Sequence, residues 1–336
     1  MGLGPHRDSD AHQVRADGRS VLSRIGAAAL RWSAASPFTN AYGVARTLLA
    51  LGTAGTLGLT PTESIYRPAR GLMDAPYCID LARVTPYCLV PRDRLWIAQV
   101  ISVVILLVVA SGWRPRLTGI PHWWVSYGFA VTATLPDGGD QVTQVLTLLL
   151  IPVTLCDPRR WHWDEAPNDR PHASLVALSA LALVRLQVAV IYFHSSIAKL
   201  AVPEWADGTA FWYWATDPSF GPPMWLRPLV LAIVREPLGV ALFTWGPIVL
   251  EFGLALALVL NPRYRLWLLG AGISFHAAIA VLMGLLSFAL AMSAALVLYL
   301  WPLHRPVPFG AVVARARRAV PRPLALRRYP GVTAMR

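Results

Sequence analysis

Apolar residues in this chain gather into long runs that short polar or arginine-bearing stretches separate. Eight of these runs come near the ~20 residues that a helix needs to cross a bilayer. They cover 41–60, 95–112, 120–136, 141–156, 174–197, 237–260, 266–284 and 285–303. The pattern predicts an all-α fold, a polytopic bundle of about eight transmembrane helices, in a multi-pass protein of the cell membrane.

Composition agrees with a lipid environment. The chain has 336 residues, of which 55% are hydrophobic and 14% charged, whereas soluble domains carry about 25% charged residues. Basic residues favour the cytoplasmic loops of membrane proteins, and placing the N-terminus inside assigns most of the 30 Lys and Arg residues to inner segments. Both termini are therefore predicted to be cytoplasmic. Because the basic residues do not form one patch, the bilayer rather than nucleic acid is the expected partner.

Polar segments flank the apolar region at both ends of the chain. Residues 1–36 are predicted to form an N-terminal tail, in which 20–35 are either an amphipathic helix on the membrane surface or a solvated linker. Residues 37–303 are predicted to form one transmembrane domain. Residues 304–336 are basic and are predicted to be a disordered C-terminal tail.

Two of the three cysteines lie close together in the first predicted outer loop. They are Cys78 and Cys88, in the stretch CIDLARVTPYC. Two thiols on one loop outside the cytoplasm usually pair, so a structural disulfide is predicted. A redox-active pair is the alternative, although the stretch contains no C-x-x-C motif. No Cys/His spacing in the chain suggests a metal site.

Several ionisable side chains fall inside the apolar runs, and four of them are placed well within the membrane. They are Arg46, Arg185, Glu251 and His276. An isolated charge is costly in the membrane, and counting ~1.5 Å of rise per residue places Glu251 at a depth compatible with each of the other three. We therefore predict that Glu251 pairs with one of them. A structural ion pair is the simpler interpretation, and a proton relay is the alternative.

Chemistry is most concentrated in residues 185–205, RLQVAVIYFHSSIAKLAVPEW. Lys199 is the only lysine of the protein, and every other Lys or Arg position is arginine. Arginine stays charged, whereas a desolvated lysine can lose its proton, so Lys199 is a candidate general base. The alternatives are a lysine that reaches lipid headgroups and a compositional bias toward arginine. His194 is a second candidate, but it points away from Lys199 unless the helix ends or bends near 195–198.

Other polar and aromatic residues are expected beside Lys199 at the outer face. Asp137 and Asp140 lie in the turn LPDGGDQ, and Glu204 and Trp205 follow the lysine. The predicted catalytic residues are Lys199, His194 and Glu204, and the predicted pocket residues are Asp137, Asp140 and Trp205. The aromatic stretch after Lys199 is either a lid over this pocket or a belt of interfacial side chains.

Several motifs across residues 37–303 carry a family resemblance. They are PFTNAYGVARTLLALGT, WRPRLTGIPHWW, DGGDQ, DPRRWHW, IYFHSSIAKLAVPEWADGTAFWYW and FHAAIAVLMGLLSFALAM. On these motifs the chain resembles the sporulation-delaying protein B family, membrane proteins with an HTTM-type domain. The resemblance implies a role in making or exporting a small secreted peptide toxin. It also implies two partners, a small co-encoded protein and the toxin precursor.

The HTTM domain is in turn similar to the membrane domain of vitamin-K-dependent γ-glutamyl carboxylase. That family has a K-L-x-x-[DE]-W stretch, whose lysine is regarded as the base that deprotonates a reduced quinone. Here Lys199-Leu200 and Glu204-Trp205 match it with one extra residue between them. This resemblance implies an alternative function, a membrane enzyme that uses a quinone or lipid-like cofactor with Lys199 as base. The carboxylase's lumenal substrate-binding domain is not expected here, so carboxylase activity itself is not implied.

Overall fold

The computed structural model describes residues 23–24, 26–29, 33, 36–68, 75–165 and 170–308, and its regular elements there are all helices. The named helices are α1 (Asn40–Leu59), α2 (Thr62–Ile65), α3 (Leu95–Ser111), α4 (Pro115–Thr132), α5 (Gly138–Cys156), α6 (Pro171–Leu200), α7 (Pro203–Ala206), α8 (Ala210–Thr216), α9 (Arg227–Val234), α10 (Pro237–Ala255), α11 (Arg265–Met283) and α12 (Leu286–Leu300). Short 3-10 turns cover Asp80–Val84, Arg92–Arg94, Leu256–Leu258 and Pro262–Tyr264. The predicted all-α fold is confirmed.

Several of these helices suit a membrane. By length and composition, five segments are able to cross one: Arg92–Ser111, Gly138–Cys156, Pro171–Leu200, Pro237–Leu258 and Pro262–Met283. α12 is apolar but shorter. Helices α1 and α4 are 20 and 18 residues long, but glycine, threonine and other polar residues lower their hydropathy. The protein is therefore a helical membrane protein with at least five candidate spans among the described residues.

The main core lies where α12 meets α1, α5, α6 and α11. α12 is buried along most of its length, and Ala291, Ala294 and Ala295 are nearly inaccessible. Without a large side chain at these positions, neighbouring helices approach closely, as is usual between membrane helices. A second cluster joins α1, α3 and α4 around Leu57 and Leu106.

Large apolar side chains also cover the outside of the bundle. Val104, Leu186, Leu242, Val249 and Trp267 are all exposed. Exposed apolar area on this scale marks a surface that another apolar phase covers. Together with the apolar helices, it is consistent with lipid around the bundle.

The two ends of the bundle can be told apart by their connections. Asn40 at the start of α1 exchanges hydrogen bonds with Val307 beyond α12, at 2.8 and 2.6 Å. The start of α1 therefore lies at the same end of the bundle as the C-terminal end of α12. The starts of α4, α6 and α11 and the C-terminal ends of α5 and α10 lie at this end too. We call this the arginine end, because Arg46, Arg159, Arg185 and Arg265 lie toward it. The opposite end, where α6 terminates at Leu200, is called the lysine end.

Parts of the predicted domain division fall on the terminal segments. Residues 23–24, 26–29 and 33 are helical, within the segment predicted to be an amphipathic helix. Most of its predicted apolar face lies outside the described residues. The same holds for most of the C-terminal tail, from residue 309 onward.

Candidate functional site

Lys199 lies in the last turn of α6, one helical turn after Ser195. Residues four apart share a helix face, and the Lys199 Nζ donates a hydrogen bond to the Ser195 Oγ at 2.7 Å. The helix ends immediately afterwards because Val202 precedes Pro203, which favours the extended backbone observed there. The sequence therefore holds the lysine on a rigid element rather than on a loop.

Glu251 of α10 completes the polar group. Its Oε2 lies 2.5 Å from the Lys199 Nζ and accepts a second hydrogen bond from the Ser195 Oγ at 3.0 Å. The two ionic side chains are 20% and 7% exposed. One carboxylate oxygen thus receives both donors, and the three side chains form a closed triangle.

The predicted partners of Glu251 were wrong. Arg46 donates to the Thr118 Oγ1 at 2.6 Å, and Arg185 donates to the carbonyls of Leu298 and Trp301. Lys199 was not considered as a partner because it was expected outside the membrane, after the end of its helix. In the structure it lies inside the bundle, at the same depth as Glu251.

An offset between two antiparallel helices explains this position. The residues of α10 from 237 to 250 extend beyond the level of Lys199, a length of about 21 Å at ~1.5 Å per residue. Segment 201–236 folds back against this projecting half. The Phe211 backbone N–H donates to the Thr244 Oγ1 at 3.0 Å, and the Trp245 indole donates to the Trp205 carbonyl at 3.2 Å.

A cavity of about 560 Å³ adjoins the Lys199–Glu251 pair, and both residues line it. Its walls come from α8, α10, α11 and the segments around them. The aromatic lining residues are Trp205, Phe211, Trp214, Phe220, Phe243, Phe275 and Phe288. The cavity is therefore an apolar chamber with one ion pair at its base, and its volume suits a small-molecule or side-chain-sized ligand.

A histidine and a tyrosine support the same region. His276 lines the cavity, and its Nε2 lies 2.9 Å from the Tyr192 Oη. Phe275 and Phe288 pack around the imidazole ring, with centroids at 5.0 and 5.4 Å. His276 thus contributes to the cavity rather than pairing with Glu251.

The structure brings together only part of the predicted site. Trp205 lines the cavity, with its ring 5.4 Å from the Lys199 Nζ. Glu204 is half-buried in α7 and is not a lining residue. His194 is exposed on another face of α6, because the helix continues without a bend to Leu200. The structure therefore does not bring His194 or Glu204 into the cavity.

Asp137 and Asp140 have a structural role at the start of α5. Each side chain accepts a hydrogen bond from the other residue's backbone N–H, which forms a capping box. Asp137 also accepts from the Ser287 Oγ at 2.9 Å. Neither aspartate lines the cavity, although Ser287 adjoins its lining residue Phe288. The turn is thus connected to the cavity only through α12.

The aromatic segment after α6 contributes to one wall of the cavity, through Trp214 and Phe220. These two side chains are also partly open to the outside, and Trp212, Tyr213 and Trp225 are exposed as well. Whether the segment acts as a lid or as an interfacial belt stays a prediction.

Ser195 is a site residue that the sequence interpretation did not assign. Its signal was the spacing of four residues from Lys199 on one helix. Glu251 was recognised as an intramembrane acid but assigned to other partners, because nothing in the sequence reveals which acid faces the lysine.

A second buried polar group lies at the arginine end. Asp157 and Arg159 form an ion pair at 2.7 Å with side chains only 0% and 1% exposed. Arg159 also donates to the carbonyls of His162 and Asp164. His162 follows α5 in a turn, where burial first, and then the charges of Arg46 and Arg159, lower its pKa to about 3. This group is packed and hydrogen-bonded, which is typical of a structural role.

The disulfide prediction is confirmed. Cys78 and Cys88 are bonded, with a Cα–Cα distance of 5.7 Å, and Cys156 is a free thiol. Among the residues that the structure describes, no group of three or more His, Cys, Asp or Glu side chains could hold a metal ion.

Comparisons with known proteins agree with this architecture. The HTTM domain model matches residues 142–302, a region that contains every lining residue of the Lys199 cavity. The protein YitO of Bacillus subtilis (strain 168) is 36% identical over 293 residues, which cover 86% of this chain and 94% of YitO. Sporulation-delaying protein SdpB of the same organism is 31% identical over 276 residues, which cover 81% of this chain and 84% of SdpB. No solved structure matches the chain. On this evidence the chain belongs to the SdpB family of HTTM-domain membrane proteins.

Proposed function

We propose that this protein acts in the maturation or export of a secreted peptide toxin, beside a small co-encoded partner protein and the toxin precursor. Two findings support this role: the similarity to a protein named for delaying sporulation, and the toxin-related role that the family resemblance implies. The HTTM match supports placing this role in a membrane domain.

The Lys199–Glu251 pair at the base of an apolar cavity is the observation that carries the proposal. Well-packed apolar side chains often replace a buried ion pair at no cost in stability, so stability alone gives little reason to keep a charged pair here. An ammonium group donates hydrogen bonds and a carboxylate accepts them. Side by side, they suit the carbonyl and N–H of a peptide segment whose apolar side chains occupy the cavity.

A membrane enzyme with a lipid-soluble cofactor is the second candidate, and the aromatic lining of the cavity favours it. Flat apolar walls above a proton donor and acceptor fit a quinone ring with its hydroxyl groups near Lys199 and Glu251. A reduced quinone would supply an acidic hydroxyl group. In this function the proton of the hydroxyl group passes to the Lys199–Glu251 pair, with Lys199 as the candidate base and Glu251 as its hydrogen-bond partner.

The proposal includes the topology of eight spans with both termini cytoplasmic and one domain over residues 37–303. The five candidate spans support part of this count. Helices α1 and α4 are of suitable length, and α1 packs with α12. These contacts favour including the helices before residue 142 in the same domain. Cysteine labelling at positions 10 and 320 in intact cells tests the orientation, which labelling of either end from outside would contradict.

Substitution of Lys199 tests the site. A strain that carries the toxin precursor and partner genes is supplied with the wild type, Lys199→Arg or Lys199→Ala. Mature toxin is measured by mass spectrometry, and membrane protein level by immunoblot. If the lysine transfers a proton, both variants lose at least ~10-fold of the output, because arginine keeps the charge but cannot act as a base near neutral pH.

The controls separate the two candidate functions. Arg235→Lys, a charge-preserving exchange at an exposed position, is expected to leave output unchanged. Loss with Ala but not with Arg would favour peptide binding over proton transfer. Normal output from both Lys199 variants at normal protein level would remove the Lys199 cavity from the proposed function. Dependence on a quinone is tested with membranes from a quinone-deficient strain, with and without added quinone.

A further inference from the structure

A second cavity of about 570 Å³ lies at the arginine end of the bundle. It is built from α6, α11, the end of α12 and the segment that follows α12. Its cationic or ionisable lining residues are Arg185, Arg263, Arg265, His304 and Arg305, and no Asp or Glu lines it. The cavity therefore concentrates positive charge in one place without an acidic partner among its walls.

Two of the arginines are fixed by helix ends. Arg185 donates through Nη2 to the Trp301 carbonyl at 2.8 Å and through Nε to the Leu298 carbonyl at 3.3 Å. Arg265 donates through Nε and Nη2 to the carbonyls of Ala257 and Leu258, both at 3.3 Å. The last carbonyls of a helix lack intrahelical partners and accept such bonds. In the described part of the chain these bonds leave Nη1 of each guanidinium without a protein acceptor.

The other two arginines lie at the rim. Arg263 and Arg305 are exposed; Arg263 donates to the Tyr264 Oη at 2.6 Å and lies over that ring, which leaves its remaining donors for a ligand. The chain offers them no acid nearby in sequence, since residues 252–336 contain arginine repeatedly and no Asp or Glu. A compensating negative charge has to come from elsewhere.

We propose that this cavity binds a phosphate-bearing anion, either the headgroup of an anionic phospholipid or a free phosphate. Guanidinium groups bind phosphate oxygens through paired, charge-assisted hydrogen bonds. Clustered basic side chains also attract anionic lipids at a membrane surface. Arg185 and Arg265 form the fixed base of the site, and Arg263 and Arg305 form its closing rim. The site is separate from the Lys199 cavity, which lies at the other end of the same helices.

Lipid binding by the purified full-length protein tests this proposal. Short-chain phosphatidylglycerol and phosphatidylcholine with identical acyl chains are titrated in detergent at constant ionic strength, and bound lipid is counted by native mass spectrometry. The rim variant Arg263→Gln/Arg305→Gln is compared with Arg116→Gln/Arg160→Gln, which removes two exposed charges at the same end but outside the cavity. Both variants alter only exposed side chains, and a melting curve checks that they fold.

The wild type and the Arg116/Arg160 control are expected to prefer phosphatidylglycerol, and the rim variant is expected to bind it about 10-fold more weakly. Inorganic phosphate is titrated in parallel, with thermal protection as the readout. Protection of the wild type but not of the rim variant would identify free phosphate, whereas an effect on phosphatidylglycerol alone would identify the headgroup. The proposal is overturned if the rim variant binds both probes as the wild type does, or if the control loses as much affinity.

Discussion

The two ends of the bundle differ in how their buried charged side chains are paired. At the lysine end, one cation and one carboxylate, Lys199 and Glu251, meet beside an open cavity. At the arginine end, Arg46 and Arg185 lie in the interior without a carboxylate partner among the described residues, and Asp157 is held by Arg159. The Lys199–Glu251 pair is balanced in charge, whereas Arg46 and Arg185 add positive charge that no carboxylate pairs with among the described residues.

This contrast separates structural charges from functional ones. Arg159 makes bonds to a carboxylate and two carbonyls in a packed interior, so its donors are used by the protein itself. Lys199 and Glu251 line a cavity, so a ligand reaches them directly. Burial of an ionisable group alone therefore does not identify the site, whereas burial beside open volume does.

The largest effect on stability is expected for Asp157→Ala. The substitution leaves Arg159 charged and unpaired in a site where both side chains are almost inaccessible. Removing one partner of such a pair costs about 3–5 kcal/mol. The measurement is the free energy of unfolding in detergent.

Asp93→Ala is the matched control for this prediction. It removes a surface pair with Arg94, in which the side chains are 65–74% exposed, and should change stability by less than about 1 kcal/mol. Equal losses for the two aspartates would contradict the structural role assigned to the Asp157–Arg159 pair.

A smaller loss is expected for Glu251→Ala at the lysine end. Lys199 loses its carboxylate, but its partial exposure and the cavity let water reach it. The loss should therefore fall toward about 2–3 kcal/mol. Toxin output is expected to fall with it, and mass spectrometry of the peptide together with unfolding in detergent measures both effects.

The double variant Lys199→Met/Glu251→Leu isolates function from stability. Apolar residues of similar size often restore the stability that a broken pair loses. We expect near-normal unfolding with no recovery of toxin output. Recovery of both would show that the pair is only structural and would remove the contrast between the two ends.

A pH-dependent effect is expected at His162 of the arginine end. Its folded pKa of about 3 lies below the ordinary value of 6.5, so below pH 6.5 the unfolded chain binds a proton that the native chain excludes. Stability therefore falls as the pH drops from 6.5 toward 3, by about 2 kcal/mol at pH 5. His162→Gln should flatten this part of the melting-temperature profile, whereas the exposed His172→Gln should not. Parallel profiles for wild type and His162→Gln would disprove the assignment.

Part of the site was accessible from residue identity. Lys199 could be recognised as a candidate because it is the only lysine of the chain. The disulfide outside the site could be predicted as well, because Cys78 and Cys88 lie close together in sequence. His194 and the Asp137–Asp140 turn were grouped with Lys199 because they were expected at the same membrane face. Such reasoning predicts the depth of a residue in the membrane but not the direction in which its side chain points. In the structure His194 is exposed on another face of α6, and the two aspartates cap the start of α5.

The helices and their apolar surfaces follow from the sequence, because a bilayer requires long apolar runs whose backbone is bonded within each helix. Which charges come into contact depends on how the helices pack. The offset between α6 and α10 brings Glu251 to Lys199, and it depends on how side chains of several helices pack together. Residues 52 positions apart in the chain carry no local signal of that contact, so the site exists only in the folded bundle.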